Sequence, residues 1–204
     1  SRARFFENPS IVNVEKPISR KIDEILRLFW TDSGRRGSGF ALFAVGGYGR
    51  EAMHPQSDID LLFYFKTAID EDDIKAILHP LWDLQFRVGH QIRHESDFTE
   101  FDEGQMQSYT AFLDSRFLAG DTAVAREFEL ELYPAFIRKN RERFLQALVD
   151  IKRQRHEGFG QTIFQLEPDL KDAPGGLRDA HWADWARKVL RSEEHTSELQ
   201  SRET

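Results

Sequence analysis

Apolar residues recur along this chain in two rhythms, and the rhythm changes near residue 100. Between Ile18 and Trp30, the residues Ile22, Ile25, Leu26 and Phe29 fall at the spacing of one helix face. Thr31 to Gly39 holds three glycines and reads as a loop. Phe40 to Val45 is a short apolar run that stops at a glycine pair, the pattern of a buried strand, and Ile59 to Phe65 reads as a second strand. Asp70 is placed to cap a helix whose first turn is acidic (Glu71, Asp72, Asp73), with Ile74, Ile77, Leu78, Leu81 and Trp82 on one face. Phe86 to Arg93 reads as a third strand, with Val88 and Ile92 on one side.

Beyond residue 100 the pattern is helical. Gln105 to Leu118 reads as a helix ended by Gly120, and Asp121 or Thr122 as the cap of the next. A longer helix is expected from about Pro134 to His156, with Phe136, Ile137, Phe144, Leu145, Leu148 and Ile151 inward. Gly158 to Gly176 is irregular, and a last helix starts near Leu177 with Trp182, Trp185 and Val189 on one face. This order predicts an α+β fold, a small mixed β-sheet domain with flanking helices followed by a helical domain. The expected division is an N-terminal helix and loop at 1–39, a sheet core at 40–100, an incomplete helical domain at 101–191 and a non-native tail at 192–204.

Asp58 and Asp60 interrupt the second apolar run. Alternation along a strand puts both on one face and Ile59 and Leu61 on the other. Two unpartnered carboxylates held side by side repel each other, and burying them is costly. A divalent cation resolves the conflict, and oxygen-only ligands suit Mg2+ or Mn2+. Mg2+ takes one or two protein carboxylates and completes its shell with water and substrate phosphate, so the pair predicts a phosphate-bearing substrate. Gly46 and Gly47 supply the other half. They follow a strand and precede a short helix expected over Tyr48 to Met53; they let phosphate approach the backbone, and a helix N-terminus favours an anion. Arg50 adds a charge-assisted contact, and Ser57 either bonds a phosphate or caps the turn. His54, before Pro55, reads as structural, whereas His90 is a candidate site residue because its strand is expected beside the aspartate strand.

Composition narrows the function classes. The 204 residues carry a net charge of −7, which argues against a nucleic-acid substrate. There is no cysteine, so disulfides and thiolate metal sites are excluded, as suits a reducing cytoplasm. No apolar run approaches the roughly 20 residues that span a bilayer. The chain opens without Met and without the apolar core of a signal peptide, so it is expected to start inside a longer protein. RSEEHTSELQS resembles a translated sequencing-adapter read, so the tail is expected to be foreign and the chain to be a fragment.

The succession GG then DID resembles the nucleotidyltransferases of the DNA polymerase β-like superfamily. VGGYGREAMHPQSDIDLL, LWDLQFRVGHQIR, DSRFLAGD and LEPDLKDAPGGLRD, in that order from about Ala41 to Arg187, resemble the N-terminal part of the bacterial protein-PII uridylyltransferase/uridylyl-removing enzymes. The resemblance implies transfer of UMP from UTP to a tyrosine of the nitrogen-signalling PII protein, with release of pyrophosphate. It carries Asp58 and Asp60 over as catalytic metal ligands and Gly46 and Gly47 as nucleotide ligands. The third carboxylate of many superfamily members has no counterpart in RVGHQIR, which offers Gly89 and His90; Glu95 and Asp97 are the substitutes considered. In the last motif Asp169, Lys171, Arg178 and Asp179 read first as a structural clamp between the domains. A nucleotide or acceptor contact by Lys171 or Arg178 is the second reading. Alternatives are an adenylyltransferase-like relative with another nucleotide or acceptor, or an inactive truncated product. The metal-dependent phosphohydrolase domain that removes UMP and the glutamine-sensing domains of the full enzymes have no counterpart here, so neither activity is expected of this chain.

Overall fold

The computed structural model describes residues 15–34, 39–68, 70–159 and 169–192. The expected tail therefore lies, from residue 193 onward, outside the described residues. The chain divides into two compact units, Ser1–Thr99 with Asp114–Leu130, and Glu100–Leu113 with Glu131–Thr204.

The first unit is built on a four-stranded mixed sheet. Its strands are β1 (Phe40–Ala44), β2 (Ile59–Phe65), β3 (Val88–His94) and β4 (Arg116–Gly120), in the order β3-β2-β1-β4. β1 pairs antiparallel with β2 and β4, while β2 and β3 are parallel. Helix α1 (Glu15–Asp32) precedes the sheet, the four-residue α2 (Gly46–Gly49) follows β1, and α3 (Glu71–Asp83) makes the crossover from β2 to β3. Asp70 caps α3 as its sequence implies, accepting from the Asp72 amide at 2.9 Å.

Alternation sorts the strands into two faces. Phe40, Leu42, Ala44, Ile59, Leu61, Phe63 and Phe65 pack against Ile22 and Leu26 of α1 and against Ile74, Ile77, Leu78 and Leu81 of α3. Trp82, expected on that inner face, is instead 47% exposed. The other face carries an aromatic cluster. Phe128, which follows α5 (Thr122–Glu127), lies 4.7 Å from Tyr64, 5.0 Å from Phe43 and 5.5 Å from Phe98 between ring centroids.

The helix expected over Gln105–Leu118 is shorter. α4 spans Met106–Phe112, and the chain then turns at Leu113–Asp114 and enters β4. The free edge of β1 captures that segment: Phe43 pairs with Phe117 and Ala44 with Arg116.

The second unit contains α4, α6 (Tyr133–Lys139), α7 (Arg141–Gly158) and α8 (Leu177–Arg191). Phe101, Tyr109, Phe136 and Phe144 form its aromatic centre. The single helix expected from Pro134 to His156 is broken at Asn140, whose buried side-chain amide donates to the Phe136 carbonyl at 2.9 Å. Ile151, expected inward, is 38% exposed.

Phe128 is fully buried among three aromatic rings. Phe128→Ala is expected to cost the first unit about 3–5 kcal/mol, the range for emptying a packed aromatic site. Urea unfolding followed by near-ultraviolet dichroism checks this, and a loss below about 1 kcal/mol contradicts the packing described.

Candidate active site

The site begins where β1 leaves the sheet. The Val45 amide donates to the Asp60 carbonyl at 3.0 Å, so the glycine turn departs directly beside the aspartate strand. Gly46 has φ +57, a conformation that strains residues with a side chain. Gly47 stands in open space, for a Cβ there would find its nearest neighbour, Nη2 of Arg50, 4.0 Å away. Its backbone is accessible to a ligand in a way that a larger residue would obstruct. The short helix falls on Gly46–Gly49 rather than Tyr48–Met53, so the glycines form the turn itself.

Asp60 lies in β2 and is partly buried; Asp58 immediately precedes the strand and its side chain is 57% exposed. The parallel register decides what faces each. Ile59 pairs with Val88 and Asp60 with Gly89. A Cβ on Gly89 would sit 2.6 Å from Oδ1 of Asp60, so the bare glycine makes room for that carboxylate. One step earlier, Nε of Arg87 lies 3.1 Å from Oδ1 of Asp58. The guanidinium offsets part of the negative charge that the two aspartates concentrate at the start of β2.

The donor set fits a hard divalent cation. Two carboxylates at the mouth of a strand, with no sulfur or imidazole between them, suit Mg2+ or Mn2+, which take their other ligands from water and phosphate. Among the described residues no group of three His, Cys, Asp or Glu side chains is placed to hold a metal. Glu95 and Asp97 follow the far end of β3, beyond the Phe65–His94 pair. Six residues of parallel strand separate Gly89 from Glu95, about 20 Å, so neither supplies a third carboxylate beside Asp60. Asp97 is occupied locally, accepting from the His94 amide at 2.9 Å.

Arg50 does not project freely from the turn, for its guanidinium is ion-paired with Asp114, whose carboxylate has no exposed surface. The hydroxyl of Ser57 accepts from the His54 amide at 3.0 Å and closes the turn before the aspartates. His90 pairs with Leu61, not with Asp60, and therefore lies on the opposite face of the sheet, where its ring meets Phe63 and Trp82. Proximity of the strands suggested His90, but the pleat removes it from the aspartates.

Lys171 and Arg178 belong to the second unit. Oδ1 of Asp169 accepts from the Lys171 and Asp172 amides, both at 2.8 Å, and Nε of Arg178 donates to Asp172 at 2.9 Å. Asp179 accepts from the Gly175 amide at 2.7 Å, from Nε2 of His156 at 3.2 Å and from Arg155. The polar groups of this motif thus tie the start of α8 to α7 within one unit. Burial opposes the charge of Asp179, but those three donors outweigh it and hold the carboxyl down at about 2.

Sequence reasoning passed over Asp23, Gly49, Arg87, Asp114 and Arg116, and named Gly89 only as the place of a missing carboxylate. Gly49 illustrates why: a Cβ there would lie 1.8 Å from the carbonyl oxygen of Asp114, a contact between residues remote in the chain. Burial, and then its hydrogen bond to Asp23, push the phenol of Tyr48 far above its usual range, so Tyr48 stays a donor at every ordinary pH.

A small mixed sheet with a glycine turn leaving its first strand and two aspartates opening the second is an α+β arrangement consistent with a nucleotidyltransferase-like fold. Comparison with known proteins is more specific. A family model described as GlnD PII-uridylyltransferase matches residues 143–204. The bifunctional uridylyltransferase/uridylyl-removing enzyme of a Bradyrhizobium species is 35% identical over 192 residues, 88% of this chain and 21% of that protein. Its counterpart in Nitrobacter hamburgensis is 36% identical over 189 residues, 87% of this chain and 20% of that one. That of Idiomarina loihiensis is 34% identical over 172 residues, covering 81% and 20%. The chain is similar to these enzymes over most of its own length, and it spans about a fifth of the length of the curated relatives it matches. Among solved structures, a toxin–antitoxin complex with AMP-PNP aligns with a TM-score of 0.40 at 14% identity, covering 63% of this chain and 95% of its own.

A carboxyl lowered on folding contributes stability that is complete above its ordinary value of 3.8 and is lost as pH falls toward about 2. The unfolding midpoint is expected to drop more steeply over that interval in the parent chain than in Asp179→Asn. Thermal melts across the interval check this, and parallel slopes contradict it.

Proposed function

We propose that the first unit is a metal-dependent nucleotidyltransferase domain that transfers UMP from UTP to a tyrosine of the PII protein. One observation carries this reading: the glycine turn and the Asp58–Asp60 pair are tied together where β1 and β2 meet, the Val45 amide donating to the Asp60 carbonyl. The choice of UTP and PII draws support from the family, whose curated members are uridylyltransferase/uridylyl-removing enzymes. With those substrates the reaction is cytoplasmic. Among the described residues no helix is long and apolar enough to cross a membrane.

In the proposed reaction the tyrosyl oxygen attacks the α-phosphorus of UTP. The bond from that phosphorus to the bridging oxygen of the β-phosphate breaks, and pyrophosphate leaves while the phenolic proton is lost to solvent or a base. Asp58 and Asp60 would hold Mg2+ or Mn2+. When bound, such an ion neutralises charge on the phosphates and lowers the pKa of a nearby hydroxyl. The chain's own contribution is positioning. Gly46 takes the positive φ the turn requires, Gly47 leaves backbone open to the phosphates, Gly89 leaves room for the Asp60 carboxylate, and Arg87 limits repulsion between the aspartates before the cation arrives.

The test is incubation of the chain with Mg2+, purified PII and α-labelled UTP or ATP. Label is expected on PII from UTP, and Asp58→Asn or Asp60→Asn is expected to reduce it by about 100-fold or more. Undiminished transfer by folded variants overturns the ligand assignment, and transfer from ATP alone moves the chain to an adenylyltransferase.

A further inference from the structure

Two residues separated only by Ser115 both reach the glycine turn. Asp114, fully buried at its carboxylate, holds the guanidinium of Arg50, and its carbonyl oxygen presses against Gly49. Arg116 grips Asp23 of α1 with Nη1 to Oδ2 at 2.6 Å and Nη2 to Oδ1 at 3.0 Å. The same guanidinium donates to the carbonyls of Tyr48 and Gly49, each at 3.4 Å. The Tyr48 hydroxyl closes the ring by donating to Oδ1 of Asp23 at 2.6 Å. Every residue from Tyr48 to Arg50 is thus held by a charged group from β4, its preceding turn or α1.

A turn of four helical residues cannot maintain its own conformation in water, because so short a helix does not repay its nucleation. The orientation of Gly46 and Gly47 therefore comes from what grips the residues after them. Buried charges are a costly way to obtain stability alone, since apolar residues of similar volume serve packing as well or better. Their directional bonds can instead specify one position.

We propose that Asp23, Asp114 and Arg116 are positioning residues for the phosphate-binding turn, acting through Tyr48, Gly49 and Arg50 rather than by touching substrate. This rests on the nucleotidyltransferase reading and adds to it the part played by the DSR segment. In this proposal the turn holds the phosphates beyond the one attacked, so loss of the clamp weakens binding of a triphosphate and spares a monophosphate. A merely structural role weakens both alike.

The experiment is calorimetric titration of the 204-residue chain with UTP and with UMP, each in Mg2+, for the parent, Asp114→Asn and Tyr48→Phe. Asp114→Asn is expected to weaken UTP by about tenfold or more and UMP by less than about twofold, the scale of a small misplacement of binding groups. Tyr48→Phe, which deletes one hydroxyl, is expected to shift the same ratio in the same direction by less. If Asp114→Asn does not fold by circular dichroism, Tyr48→Phe decides. Equal losses for UTP and UMP, or unchanged UTP affinity in a folded variant, overturn the clamp. If the parent binds neither nucleotide, the nucleotidyltransferase reading fails and the clamp falls with it; if the parent binds and the variants match it, the clamp alone fails.

Discussion

The register of β2 between its two neighbours is the constraint on which the rest of the first unit depends. Pairing with β1 sets Leu42 against Phe63 and Ala44 against Leu61, which aims the apolar face at α1 and α3. Pairing with β3 sets Asp60 against Gly89. A slip of one residue would turn every side chain of β2 to the other face. It would carry Asp60 into the packed core and bring Ile59 to the site. The hydrophobic effect that secures the core therefore also orients the carboxylate, because Asp60 is the one charged side chain of β2 and a slipped register would turn it into the face packed against α1 and α3.

Polar groups then refine what apolar packing sets. Asp23 and Asp114 are buried yet partnered, and their partners, Arg116 and Arg50, are tied to the glycine turn or lie in the segment that follows it. At the mouth of the sheet the arrangement is looser. Asp58 and Arg87 are both more than half exposed, and their ion pair is screened by water and worth little. A cation with phosphate can compete with such a pair at small cost, whereas breaking the buried pairs beneath would leave charges without solvent. Firm support below and a weak pair above suit the proposed site, which would accept a charged ligand without refolding.

Much of the fold was legible in the sequence because much of it is local. The faces of α1 and α3, the Asp70 cap and the apolar strands follow from spacing and end signals, and the glycine pair marked the turn. What escaped notice is set by partners remote in the chain. Arg116–Gly120 carries no strand signal of its own and is extended because β1 offers an unpaired edge. Asn140 interrupts a helical pattern by bonding back to Phe136, a choice its periodicity does not record. Gly89 marks only a missing carboxylate until the register sets it beside Asp60, and His90 drew attention through a nearness that the pleat cancels. The aspartate pair and the glycines were legible; the charges behind them were not.

In the proposed site Asp58 and Asp60 jointly hold a divalent cation over which the glycine turn receives phosphate. Anomalous diffraction from crystals of the chain grown with Mn2+ and a non-hydrolysable UTP analogue tests this most directly. One manganese peak bonded to both carboxylates is expected, with the triphosphate against the backbone of Gly46 and Gly47. Manganese elsewhere, or a nucleotide bound with the Arg87–Asp58 pair intact and no metal at Asp60, would contradict it.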